Sequence, residues 1–133
     1  MGWGRDFYLA QLGFMANNDI DGLLRQHYHE DAVMVTFDGI RRGHAELRTY
    51  FEGRLTSLGT ISYLATQYFA ETEDTIIFKS IVRSGTNAAE REIHADNALV
   101  IKDGKIWRHI ALTILPLYEE KGLYEQWGVI WQD

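Results

Sequence analysis

The chain has 133 residues, no cysteine, and 13 basic against 19 acidic residues, a formal net charge of −6. Such a length fits one domain with a real core, the missing cysteine excludes disulfides and thiolate sites, and a negative balance without a Lys/Arg cluster argues against a nucleic-acid surface. No apolar run approaches the roughly 18 residues of a membrane span, and the N-terminus MGWGRDFYLAQLG shows no signal-peptide pattern, so a cytoplasmic protein is expected.

Residues 4–17 read as a helix, because Phe7, Tyr8, Leu12, Phe14 and Met15 recur at helical spacing. Gln11 interrupts that apolar face. Asn17-Asn18 stops the helix, and Asp19 is placed to cap a second one over about 20–28. Residues 32–37 (AVMVTF) make a short strand, followed by an Asp38-Gly39 turn and Arg41-Arg42 in a solvated hairpin. Gly43 opens a helix whose stripe is Leu47, Tyr50, Phe51, Leu55 and Leu58. The remainder reads as antiparallel strands over 61–71, 75–83, 90–101 and 105–115, with Asp103-Gly104 signalling a two-residue hairpin turn. Helices followed by a strand meander define an α+β domain, helices packed on one face of a curved sheet.

The last two strands carry the functional reading. With a period of two, one face collects Ile93, Ala95, Leu99, Ile101, Ile106, Ile110, Leu112 and Ile114. The other collects His94, Asp96, Ala98, Trp107, His109, Ala111 and Thr113. The mixed face either lines a pocket under the helices, with the apolar face against another subunit, or lies on the surface over an apolar core. Around the turn, paired residue numbers sum to about 207, which sets Asp96 and His109 diagonally on one face, roughly 7–8 Å apart. A carboxylate mid-strand among apolar neighbours must be paired, hydrogen-bonded or protonated. An isolated Asp96 becomes a neutral donor; an Asp96 in contact with His109 orients an imidazole base.

The run HYHEDAVMVTFDGIRRGHAELRTYF, from His27 to Phe51, resembles the front half of the nuclear transport factor 2-like superfamily, in its SnoaL-like and ketosteroid isomerase-like branch. Asn17 to Phe51 and DNALVIKDGKIWRHIALT, Asp96 to Thr113, follow that pattern without gaps. The resemblance implies a cone-shaped, barrel-like α+β fold over a small deep pocket and a homodimer through the outer sheet face. The length gives a single domain over 1–133, and the stretch 117–133, outside the matched segments, reads as an apolar C-terminal extension. That extension either closes the pocket mouth or crosses to a partner subunit. By the same resemblance, the isomerase's strand Asp falls on Thr36, its helix Tyr on Gln11 and its buried Asp on Asp96. The general base of a steroid isomerase is therefore missing.

The expected site is thus Asp96 and His109 as the acid–base pair. Gln11, Tyr28, Thr36, Tyr50, His94, Trp107 and Thr113 are expected around the substrate. His109 would abstract a proton beside a carbonyl or leaving group while Gln11 and Tyr28 polarise the oxygen. No metal and no cofactor are expected, although His94, Asp96 and His109 could in principle supply three ligands. The functional readings are a cofactor-independent lyase, isomerase or cyclase acting on a small apolar molecule, a non-catalytic hydrophobic-ligand binder, and a dimerisation module.

Overall fold

The computed structural model describes residues 2–59, 61–84 and 91–114. The apolar C-terminal stretch 117–133 lies outside the described residues. Helix α1 spans Trp3–Ala16 and ends where Asn18 takes a left-handed φ of 53°, a conformation Asn tolerates better than most residues. Asp19 then accepts a hydrogen bond from the Gly22 amide at 2.9 Å and caps the short turn α2, Ile20–Gly22.

The chain continues through one π-helical turn, Leu23–His27, straight into β1, Tyr28–Thr36. The helix expected to reach residue 28 therefore ends one residue earlier, and Tyr28 heads a strand that begins four residues before the expected start. The reason is tertiary: β1 pairs in parallel with β6, Tyr28 beside Ile106, and that pairing claims the backbone ahead of any helical preference. Arg41-Arg42 lies on a short edge strand, β2 (Gly39–Arg42), which pairs antiparallel with β1 in the expected hairpin. Helix α3, Gly43–Leu58, follows directly.

The meander then runs through β3 (Ile61–Glu71), β4 (Thr75–Ser84), β5 (Arg91–Lys102) and β6 (Lys105–Ile114). Asp103 and Gly104 both carry positive φ, 55° and 76°, as the tight hairpin turn of an Asp-Gly pair requires. The six strands form one mixed sheet ordered β2-β1-β6-β5-β4-β3, parallel only between β1 and β6.

Helices and sheet share one core. Tyr8 from α1, Leu23 and Leu24 from the π-turn, and Leu47 and Phe51 from α3 pack on Tyr28, Met34, Ile76, Phe78, Leu99 and Ile106 of the sheet. Burying each such side chain contributes about 1.5–3 kcal/mol.

One irregularity governs everything that follows. Between β5 and β6 the register shifts: Ile101 pairs with Ile106 but Val100 pairs with Arg108, so Trp107 has no partner. A one-residue bulge flips every later side chain to the other face. Beyond it, His109, Ala111 and Thr113 share the inner face with Ala95, Asn97 and Leu99. The outer face receives Asp96, Ala98, Ile110 and Leu112. The expected division of these strands holds on neither side: Ile93, Leu99 and Ile106 are buried inward, whereas Ile110 and Leu112 are exposed outward.

Candidate functional site

The inner face of the sheet is built in cross-strand rows. One row is Ile76, Leu99, His109 and Met34; the next is Phe78, Asn97 and Ala111; the third is Ser80, Ala95 and Thr113. Side chains shrink along this direction. Large groups fill the space near the bulge and small ones leave it open farther on, so a cavity of about 950 Å³ remains under the helices. The wall opposite the sheet is α1, through Tyr8, Gln11 and Met15, and α3, through Tyr50, Phe51 and Leu55. The lining is mostly apolar with a few convergent polar groups, which is the usual make-up of a small-molecule site.

The polar groups form one connected chain. Gln11 Nε2 lies 3.3 Å from the Tyr28 hydroxyl, which lies 2.8 Å from His109 Nδ1. His109 Nε2 lies 2.9 Å from Asn97 Oδ1, and Asn97 Nδ2 lies 3.3 Å from the Ala95 carbonyl. Gln11, Tyr28 and His109 are each at most 5% exposed.

The direction of every bond follows from the last one. A carbonyl only accepts, so the Asn97 nitrogen faces Ala95 and its oxygen faces His109. His109 therefore carries its proton on Nε2 and donates it to Asn97. Its Nδ1 accepts from the Tyr28 hydroxyl, whose oxygen in turn accepts from Gln11. Burial lowers the His109 pKa from 6.5 to about 4, so the ring is neutral at physiological pH. Burial, with a further push from Tyr50, raises the Tyr28 pKa, and its phenol stays protonated as the donor.

The structure distributes the expected site residues unevenly. Gln11, His109, Tyr50 and Thr113 line the cavity. Tyr28 stands behind the wall, fully buried, and touches the site through Gln11 and His109. Thr36 is held in the β1–β2 hairpin, donating to Asp38 Oδ1 at 2.7 Å and accepting from Arg41. His94 faces outward and meets the Glu92 carboxylate at 3.2 Å. Trp107 is the bulge residue, with the Arg108 guanidinium 3.6 Å and the Lys102 ammonium 5.1 Å from its ring.

Asp96 is the main geometric correction. It is exposed, opposite Leu112 and Lys79 on the outer face, and does not share a hollow with His109. Pairing continued past Trp107 without the bulge puts Asp96 on the face of His109; with the bulge, Asn97 pairs with Ala111 and takes the inward position. Asp96, the position to which the resemblance assigns a buried Asp, faces outward. Asn97 carries a readable signal, a polar side chain mid-strand, next to the stronger chemistry of the adjoining carboxylate.

A second polar group was missed. The Tyr8 hydroxyl, one helical turn before Gln11, lies 2.8 Å from Thr66 Oγ1 and 3.4 Å from Ser80 Oγ. Among the described residues no group of three or more His, Asp or Glu side chains could hold a metal ion. His27 is a structural histidine. Its ring stacks on Phe7 at 3.8 Å, its Nε2–H donates to the Phe7 carbonyl at 3.1 Å, and burial lowers its pKa to about 4.

Helices over one face of a curved mixed sheet, with a cavity between them, define the cone-shaped nuclear transport factor 2-like fold. Residues 8–109 match the SnoaL-like domain, and the chain belongs to that family. No curated protein matches the sequence. Several solved structures match the fold. A protein from Kribbella flavida DSM 17836 is 16% identical, with a TM-score of 0.69 over 91% of this chain and 94% of that one. TerC, co-crystallised with polyporic acid, is 22% identical, with a TM-score of 0.67 over 90% and 96%. SalBIII, described as an epoxide hydrolase/cyclase-like enzyme in pyran ring formation, is 14% identical, with a TM-score of 0.68 over 83% and 89%. At these identities the likeness extends to the fold alone.

Proposed function

We propose that this chain binds one compact, mostly apolar molecule in the cavity between helices and sheet. The observation that carries this reading is the hollow of about 950 Å³, lined mostly by apolar side chains, with Gln11, Asn97 and His109 of the buried polar chain on its wall. Such a wall holds a hydrophobic body and orients it by one polar end. Titration with pyrene tests the reading. Saturable binding of one molecule per chain is expected, and Ala95→Trp, which projects a large ring into the hollow, should abolish it while the circular dichroism stays native. Unchanged binding in Ala95→Trp would overturn the assignment.

A second reading makes the site catalytic, a cofactor-independent lyase, isomerase or cyclase. It is favoured by the family and by the cyclase-like description of SalBIII. In this chain His109 is the one histidine on the cavity wall, and both its nitrogens are engaged. Catalysis would require the substrate to displace Asn97 or Tyr28 from the ring. With a turned-over substrate in hand, His109→Gln should slow the reaction by about 100-fold or more; unchanged turnover would end this reading. Asp96 has no part in it.

The chain is further read as one SnoaL-like domain over 1–133, with 117–133 as an extension, working in the cytoplasm as a homodimer. Support for the dimer is the outer sheet face, where Ile40, Val35, Ile110, Ala98 and Ile77 lie side by side across five strands. Ile40, Ile77 and Ile110 are 44–55% exposed. An apolar row of that length in water marks an association surface more often than a bare one.

A further inference from the structure

We propose that the cavity recognises its ligand through a hydroxyl or similar hydrogen-bond donor, offered by the ligand to Gln11 Oε1 on the α1 wall. The inference rests on the small-molecule reading above and adds the polarity of the ligand's anchoring group.

The argument starts at the Ala95 carbonyl. It orients the Asn97 amide, Asn97 fixes the His109 tautomer, and His109 Nδ1 takes the Tyr28 proton. With its proton committed, the Tyr28 oxygen can only accept, so the Gln11 amide must present nitrogen to it. The Gln11 oxygen is thereby turned away from the chain. It is buried and has no partner, on a side chain only 5% exposed that lines the cavity.

The only other buried side-chain polar atom without a partner among the described residues is Ser84 Oγ, and Ser84 is not part of the cavity wall. An unmet buried acceptor is a standing cost that a donor removes. The last torsion of a Gln side chain is soft, so a slight turn offers Oε1 to the hollow while Nε2 stays on Tyr28.

The polarity is opposite to that expected from the sequence. Gln11 and Tyr28 were to donate to a ligand oxygen. Here the Tyr28 proton goes to His109, and the Gln11 amide proton nearest the chain goes to Tyr28. A ligand carbonyl facing Gln11 Oε1 would set two acceptors together, whereas a ligand hydroxyl completes the chain. The Tyr8 and Ser80 hydroxyls, also on the cavity wall, can each donate or accept, so they accommodate either kind of group and discriminate less.

The test compares 1-hydroxypyrene with 1-methoxypyrene, which share an apolar body and differ in the donor. Wild type should bind the hydroxyl compound about tenfold more tightly. In Gln11→Leu that preference should collapse toward unity. Equal affinities in wild type, or a preference that survives in Gln11→Leu, would overturn the inference while leaving the cavity reading intact. Binding of neither compound would overturn both. Nitrogen-15 chemical shifts of His109 provide a check that needs no variant: a proton on Nε2 supports the chain's direction, and a proton on Nδ1 reverses it and removes the argument.

Discussion

Replacing Tyr28 by Phe removes one oxygen from the middle of the buried chain. The hydroxyl is completely shielded from water, donates to His109 Nδ1 at 2.8 Å and accepts from Gln11 at 3.3 Å. Its loss leaves the imidazole lone pair and an amide proton unpaired in a dry interior. Each such orphan costs about 1–3 kcal/mol, less for the longer bond, so a total of about 2–4 kcal/mol is expected. For a chain of this size that lowers the melting temperature by roughly 8–15 °C. An exposed tyrosine would cost no more than about 0.5 kcal/mol.

The sharper signature is coupling. His109→Leu alone strands the tyrosine hydroxyl, whereas Tyr28→Phe combined with His109→Leu removes both ends of the contact. The double variant should be less destabilised than the sum of the single variants by about 1 kcal/mol or more, measured by urea unfolding. Additivity within about 0.5 kcal/mol would refute the reasoning, because the two side chains would then not share a bond.

Other consequences follow from the same geometry. Asp96→Asn, on the outer face, should leave stability within about 0.5 kcal/mol and pyrene affinity unchanged, whereas Asn97→Leu should cost about 1–3 kcal/mol by orphaning His109 Nε2–H; urea melts and titrations of both variants decide it. Stability should fall as the solution is acidified from pH 6.5 towards 4. The unfolded chain protonates His109 at its ordinary pKa of 6.5 while the folded site resists until about 4, so the contribution is complete above 6.5 and is lost on the way down. At about pH 5 the loss from His109 is about 2 kcal/mol, and His27 acts in the same direction. His109→Gln should flatten that slope in urea titrations, and an equal slope in the variant would exclude the assignment. Finally, light scattering after size exclusion should find a dimer, which Ile110→Glu on the outer sheet face converts to monomer; a monomeric wild type at tens of micromolar, above the dissociation constants of standard-sized interfaces, would remove the dimer.

The sequence exposed the fold through features that are local. Helical spacing placed α1 and α3, Asp103-Gly104 placed the β5–β6 hairpin, and Asp19 marked the cap of the second helical segment. It hid what depends on distant pairing. Tyr28 reads as the end of a helix until β6 is laid beside it. The arrangement of the site failed on one residue. Alternation in β5 and β6 was read correctly as a pattern, but a bulge at Trp107 leaves no mark in that pattern, and a single extra residue exchanges the inner and outer faces. His109 and Gln11 were found because each is a polar group at a position that the surrounding pattern marks as buried. Asn97 was passed over because Asp96 beside it offered stronger chemistry, and only the register separates the two.

Chemical-shift mapping of the backbone and side-chain amides during a pyrene titration tests the central claim most directly. Shifts centred on Gln11, Ala95, Asn97, Ala111 and Thr113, with Ile77, Ile110 and Leu112 undisturbed, are the expected result. Shifts confined to those three outer-face residues, or none at saturation, would mean that the inner hollow is not where this protein takes up small molecules.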